Sequence, residues 1–180
     1  IISGIQDLWT VSESLEVSIE SNVSPAEAKK FEAFRSAGVN RLSLGVQSLD
    51  DDALKFLGRE HTATDAIAAL DHGKKLFPMV SIDLIYARPG QAVPAWQDEL
   101  TQALEQGIDH LSLYQLTIEP GTPFAQKKVE PAEEDLAASL YETTNAVLEA
   151  ADLPAYEVSN HARPGHQCRH NLTYWQGGDY

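Results

Sequence analysis

One seven-residue phrase, Gly38-Val39-Asn40-Arg41-Leu42-Ser43-Leu44, returns as Gly107-Ile108-Asp109-His110-Leu111-Ser112-Leu113, and this repetition limits what the chain can fold into. Each copy opens on a glycine of the kind that ends a helix and runs into the alternation of a strand. A repeated helix-to-strand unit builds a parallel sheet, because successive strands then enter from the same end. An open doubly wound sheet and a barrel both satisfy this.

The segments around the repeat alternate in the same way. Residues 1–10 read as the tail of a helix and 15–20 as a strand, LEVSIE. Ser24-Pro25-Ala26-Glu27 forms a capping box with proline at the first helical position. The helix it opens carries Phe31 and Phe34 and stops at Gly38. Strands are expected at 41–47, 79–86 and 110–116, with a short fifth at 155–159; helices are expected at 50–57, 63–77, from Pro94 to Gly107, and 132–151.

The strand faces choose between the two architectures. One face carries Val17, Ile19, Leu42, Leu44, Val46, Ile82, Leu84, Leu111 and Leu113. The other is polar in every strand: Glu16, Ser18 and Glu20; Arg41, Ser43, Gly45 and Gln47; Ser81 and Asp83; His110, Ser112 and Tyr114. A sheet covered by helices on both sides would be apolar on both. A polar face in every strand predicts a wet or ligand-filled lumen, hence an α/β fold in the form of a partial parallel (β/α) barrel. A complete barrel of eight units takes about 250 residues, and this chain has 180. It runs from Ile1 to Gly178-Asp179-Tyr180 without an initiating Met, so we expect a barrel truncated at both ends.

Composition removes some function classes. A net charge of −14 repels phosphate backbones and argues against nucleic acid. No apolar run approaches a membrane span. The single cysteine, Cys168, cannot form an internal disulfide, which suits a reducing, cytoplasmic setting.

Ligands of parallel α/β folds bind at the carboxyl ends of the strands. Glu20, Gln47, Asp83 and Tyr114 fall near those ends, with Thr117 and Glu119 in the following loop. Carboxylates there suit ribose hydroxyls or an amino group; solvated strand ends are the plainer account. Arg59 can reach a carboxylate or phosphate, or can simply pair with Glu60 or Asp65 on the surface. A Schiff-base aldolase needs a strand-end lysine, and no strand contains one. The stretch from His161 to Trp175 holds His161, His166, His170, Cys168, Arg163, Arg169, Tyr174 and Trp175. Cys168 and His170 fall short of a zinc set, and two apart in an extended segment they would share a side without a third group to orient them as a nucleophile pair. A histidine with aromatics and arginines also fits a haem iron and its propionates; a polar loop packed by Trp175 fits equally.

The strings AGVNRLSLGVQS (37–48), LGR with His61 (57–61), IDLIY (82–86), LSLYQLTIEPGT (111–122) and YEVSN (156–160) resemble the radical S-adenosylmethionine (SAM) family of haem chaperones (HemW-type) and oxygen-independent coproporphyrinogen III oxidases. CRHNLTYW (168–175) looks like the His-Asn-x-x-Tyr-Trp motif of the chaperones. The resemblance implies a partial radical SAM barrel over 1–152 and the start of a C-terminal extension over 153–180. It implies SAM contacts at Glu20, Gln47, Arg59, Asp83 and Thr117, with backbone near Ile85 and Ala87, and a haem ligand at His170. It further implies haem or porphyrin and haem-accepting proteins as partners, an acceptor that can be membrane-associated, and room for a homodimer. The alternative it leaves is a fragment of an oxidase that decarboxylates porphyrinogen propionates. The family's 4Fe–4S cluster sits on Cys-x-x-x-Cys-x-x-Cys, and neither this motif nor the Gly-Gly-Thr-Pro strand end is in the chain. One cysteine provides no metal set for the cluster, so the chain alone is expected to be inactive as an enzyme. Val23 stands where the family often has proline, and Ala87 where glycine is usual.

Overall fold

The computed structural model describes residues 1–178. In chain order the elements are α1 (Ile2–Leu8), β1 (Ser18–Asn22), α2 (Pro25–Ala28), α3 (Phe31–Ser36), β2 (Arg41–Gln47), α4 (Asp51–Phe56), α5 (Ala63–Leu76), β3 (Met79–Tyr86), α6 (Val93–Glu105), β4 (His110–Gln115), α7 (Pro123–Gln126), α8 (Glu134–Ala150), β5 (Asn160–Ala162) and α9 (Arg169–Trp175). The strands form one sheet in the order β1-β2-β3-β4-β5, parallel from β1 to β4 and antiparallel between β4 and β5. Among the strands of the described residues β1 pairs with β2 alone and β5 with β4 alone, β5 also bridging Ala155 through His161, so the sheet is open with β1 at one edge.

Both copies of the repeat behave alike. Gly38 (φ +106°) and Gly107 (φ +63°) take the left-handed turn that ends a helix, and β2 and β4 start three residues later. The apolar face is the core: Leu42, Leu44, Ile82, Leu84 and Leu111 are fully buried, with Val46 and Leu113 nearly so. Each such side chain contributes about 1.5–3 kcal/mol of burial. The outer helices are joined to one another by Trp96 of α6, which stacks on Tyr86 at 5.4 Å and donates Nε1–H to Thr144 Oγ1 of α8 at 2.7 Å.

Several boundaries differ from the sequence expectation. Regular β1 begins at Ser18 rather than residue 15, because the Asn40 side chain stands in for a strand there. It accepts from Val17 N and donates to Leu15 O, both at 2.7 Å. The helix opened by Ser24 breaks at Lys29-Lys30 into α2 and α3. Ser24 does cap Glu27 N (3.2 Å), but Glu27 pairs with Lys30 at 2.7 Å, so the reciprocal half of the capping box is not made. The fifth strand is 160–162, not 155–159. Glu157 takes the amide of Ser159 (2.9 Å) and the Asn160 side chain, turning the earlier residues back on themselves. The stretch from 169 is helix rather than extended chain. Cys168 is its N-cap, so Cys168 and His170 are not paired on one side.

Gly73 lies inside α5, where alanine would ordinarily stabilise a helix by about 1 kcal/mol. A Cβ there would stand 2.7 Å from Leu42 Cδ2, and Leu42 is fully buried. We expect Gly73→Ala to destabilise by about 1–3 kcal/mol, read as a lower urea midpoint; a raised midpoint would show that the helix–sheet contact is loose.

Candidate functional site

A cleft of about 320 Å³ opens at the carboxyl ends of β2, β3 and β4, lined by Gln47, Asp83, Ile85, Tyr114, Gln115, Leu116 and Thr117. Small-molecule sites usually fall in the range of about 300–1,000 Å³. Backbone irregularity makes the opening. Between Leu44 and Gln47 the pairing with β3 advances from Ile82 only to Leu84, one extra residue on β2, which is a bulge. Gln47 then takes φ +71°, and its amide folds over Gly45, where a Cβ would stand 2.8 Å from Nε2. Gly45 is therefore the residue that lets Gln47 turn into the lumen. Ala87, just past β3, is also left-handed (φ +56°) and fully buried. Such conformations cost a non-glycine residue about 1–2 kcal/mol, which explains why glycine is the easier choice at position 87.

Asp83 is the polar centre of the lumen. Ser43 donates to its Oδ1 at 3.0 Å, Ser81 donates to Ser43 at 2.9 Å, and Ser112 is a further hydrogen-bond partner. Burial nevertheless raises its pKa above the ordinary value; the two serines oppose the shift and nearby Glu20 adds to it. Burial likewise raises the Tyr114 phenol, with the Asp83 charge adding to it. This is a desolvated acceptor prepared for a hydroxyl or ammonium donor.

Not every expected contact joins this cleft. Glu20 lies one row lower, opposite Ser43, and is near enough to Asp83 to act on its charge. Arg59 lines a separate cavity of about 730 Å³ beside the end of β1, with Nη1 3.4 Å from Asn22 Oδ1. Gln47, Asp83 and Thr117 come together; Glu20 and Arg59 flank them.

The C-terminal segment crosses the opposite, amino ends of the strands. Arg41, the first residue of β2, is buried, pairs with Glu16 at 3.0 Å and donates to the carbonyls of His166 and Gln167 at 3.1 Å. Glu16 also accepts from Arg169 N (3.0 Å). His110 meets the Tyr156 hydroxyl at 2.7 Å, and that oxygen also receives Asn171 Nδ2 (3.1 Å) and Cys168 N (3.3 Å). With two donors already on the oxygen, its own proton goes to His110 Nε2. Burial keeps His110 neutral, its pKa lowered to about 3, and pushes Tyr156 up to about 12. Trp175 Nε1 donates to Glu157 Oε2 at 3.1 Å. Asn171 and Trp175 thus fasten α9 onto the YEVSN segment. His170 is exposed, one turn before Tyr174, whose ring meets it edge-on at 5.1 Å. Arg163 pairs with Asp109 (2.8 Å), and Arg169 donates to Ser14 O (2.6 Å).

Sequence reading missed Arg88 and Glu99, a buried ion pair at 2.6 Å behind the cleft. A signal existed: Trp96, Glu99, Leu100 and Ala103 fall on one helical face, so a carboxylate occupies a core position.

The open, mainly parallel sheet with a polar face and a strand-end cleft defines a mixed α/β fold. Residues 4–98 match the Radical SAM superfamily, and the chain belongs to it. It is 46% identical over 180 residues to the mouse protein "Radical S-adenosyl methionine domain-containing protein 1, mitochondrial", covering 97% of this chain and 40% of that protein. It is 39% identical to "Heme chaperone HemW" of Haemophilus influenzae (93% of this chain, 44% of that protein) and 37% identical to the Escherichia coli HemW (100% and 48%). The chain therefore spans less than half of each of these relatives. Among solved structures, coproporphyrinogen III oxidase (HemN) from Escherichia coli superposes with a TM-score of 0.79 over 98% of this chain and 41% of that one; at 24% identity this is a likeness of fold.

The residues present fit the family's two groups unequally. The cleft, with its desolvated carboxylate and strand-end amide, fits the polar parts of SAM. The iron–sulfur cluster does not fit: the chain has one cysteine. The Cys168 thiol is pushed up by burial, and no group of three or more His, Cys, Asp or Glu among the described residues is placed to hold a metal.

A raised carboxyl pKa weighs against the folded state once the group ionises. Its cost is absent below the ordinary value of about 3.9, grows as pH rises through the folded pKa, and persists above it. We expect Asp83→Asn to be more stable than the parent chain at pH 7 and to lose that advantage toward pH 3.5. Urea midpoints at both pH values check this; a gain independent of pH would count against it.

Proposed function

We propose that the chain is the SAM-holding part of a haem-chaperone-type radical SAM protein, and that α9 offers its haem ligand. The observation that supports it most is the convergence of Gln47, Asp83, Tyr114 and Thr117 on one cleft in a chain of this superfamily. SAM bound at a reduced cluster supplies radical chemistry in this superfamily; these residues would bind and orient it. The Asp83 carboxylate accepts from ribose hydroxyls or the ammonium group. The Gln47 amide reads a neighbouring polar edge, with Glu20 one row below and Arg59 in the adjoining cavity beside β1.

For haem, support comes from the way the His-Asn-x-x-Tyr-Trp segment is built. Asn171 and Trp175 are used inward, while His170 stands exposed with an aromatic neighbour. A neutral imidazole is a good iron ligand. Delivery to an acceptor protein follows from this reading, because an exposed ligand can be exchanged. The likeness to the oxidase is one of fold, so the oxidase reading has no observation of its own.

Two measurements test these claims. Calorimetric titration with SAM is expected to show binding that weakens about tenfold or more in Asp83→Asn, as for loss of one charge-assisted hydrogen bond; equal affinity in the variant would overturn the cleft assignment. Titration with haem, followed by Soret absorption, is expected to lose the Soret shift that marks axial ligation in His170→Ala and keep it in His166→Ala. An unchanged spectrum in His170→Ala removes that residue from the site.

A further inference from the structure

We infer that the buried Arg88–Glu99 pair is a clamp that positions the lining of the strand-end cleft; its consequence for affinity rests on the SAM reading, and its consequence for the backbone does not.

The pair ties together three segments that are distant in sequence. Arg88 Nη2 meets Glu99 Oε2 at 2.6 Å, while Nη1 donates to the Ile85 carbonyl at 3.0 Å and to Ser48 Oγ at 2.9 Å. Glu99 Oε1 accepts from the Leu49 amide at 2.9 Å and from the Ser48 hydroxyl. Arg88 N donates to Gln91 Oε1 at 3.2 Å, closing the loop after β3. Ser48 is fully buried, Glu99 is 4% exposed and Arg88 is 8% exposed.

The anchor points explain what the clamp holds. Ser48 follows Gln47 and Arg88 follows Ala87, and these are the two left-handed residues at the mouth. Neither is glycine, so each would relax if its neighbour were released. Ile85 and Gln47 both line the cleft. The planar guanidinium suits this task because its fork serves the carboxylate, a carbonyl and a hydroxyl at once. Packing α6 onto the sheet does not require charge, since an apolar pair of similar volume fills such a space as well or better. What an apolar pair would not do is fix Ser48, Leu49 and Ile85 relative to one another.

The test replaces both charges together, Arg88→Met with Glu99→Met, so that no unpaired charge is left in the core. Amide hydrogen exchange is read at 47–49 and 86–88, with 137–148 in α8 as the internal control, and SAM affinity is measured by calorimetry. We expect exchange to quicken about tenfold at the two mouth segments and to stay unchanged in α8, with SAM binding weakened about tenfold. Arg88→Lys keeps the charge without the fork and is expected to fall between the two. Equal acceleration throughout the chain, or none at the mouth, overturns the clamp, as does full affinity for SAM with a loosened mouth. If the unaltered chain does not bind SAM but the exchange pattern holds, the cofactor reading fails and the clamp stands.

Discussion

A parallel sheet that is apolar on one face only needs two different covers, and the rest of this structure follows from that. The apolar face of β2, β3 and β4 takes its helices by ordinary burial. The lumen face cannot be treated the same way, because Arg41, Ser43, Ser81, Asp83, His110 and Ser112 would each cost several kcal/mol, of order 1–3 or more, if enclosed without partners. The chain gives them polar partners row by row, though not for every atom: His110 Nδ1 is buried without one. At the amino ends, Glu16, Tyr156 and the carbonyls of 166–167 close over Arg41 and His110. In the middle the serines bond to one another and to Asp83. At the carboxyl ends of β2, β3 and β4 the polar face opens into the cleft.

The two ends of the lumen therefore differ in kind. The amino end is filled by protein: His110, Asn171 and the Cys168 amide meet on the Tyr156 hydroxyl oxygen, and burial holds both ring groups neutral, while His110 Nδ1 is left without a hydrogen-bond partner. A network in that state fixes a position and leaves little capacity for a ligand. The carboxyl end keeps a carboxylate whose charge is opposed by burial, beside two strained backbone positions. Strain and desolvation persist there because Arg88 and Glu99, anchored in the well-packed α6, over-determine the loops around them.

How much of this the sequence reveals depends on the physical range of each signal. The repeat, the face pattern of the strands and the glycine turns at Gly38 and Gly107 are local and periodic, and they carry the architecture directly. The strand-end residues Gln47, Asp83 and Thr117 were legible because parallel topology fixes where strand ends gather. The bulge that brings Gln47 over Gly45 was not, since it depends on pairing with β3 rather than on any residue of β2 alone. The substitution of Asn40 for a strand at 15–17 and the capture of Glu157 by Ser159 and Asn160 are side-chain events that mimic or interrupt a ladder. Alternation cannot distinguish them from a strand. The helical start at Arg169 was hidden for a related reason. Its N-cap is Cys168, with no side-chain cap, and the element is held by long-range contacts to Glu16 and Tyr156.

The C-terminal motif shows how one short string divides its labour. On α9, Asn171 and Trp175 are four apart and lie on a common side; they reach the adjacent residues Tyr156 and Glu157. His170 and Tyr174 are also four apart, one step round the helix, and their rings meet edge-on. A motif read as a list of equal ligands would assign all four to one molecule. The helix geometry instead assigns two to holding the segment against YEVSN and presents His170 with its aromatic neighbour. The YEVSN and His-Asn-x-x-Tyr-Trp strings are therefore two halves of one contact, and a change in either alone would move the imidazole without touching it.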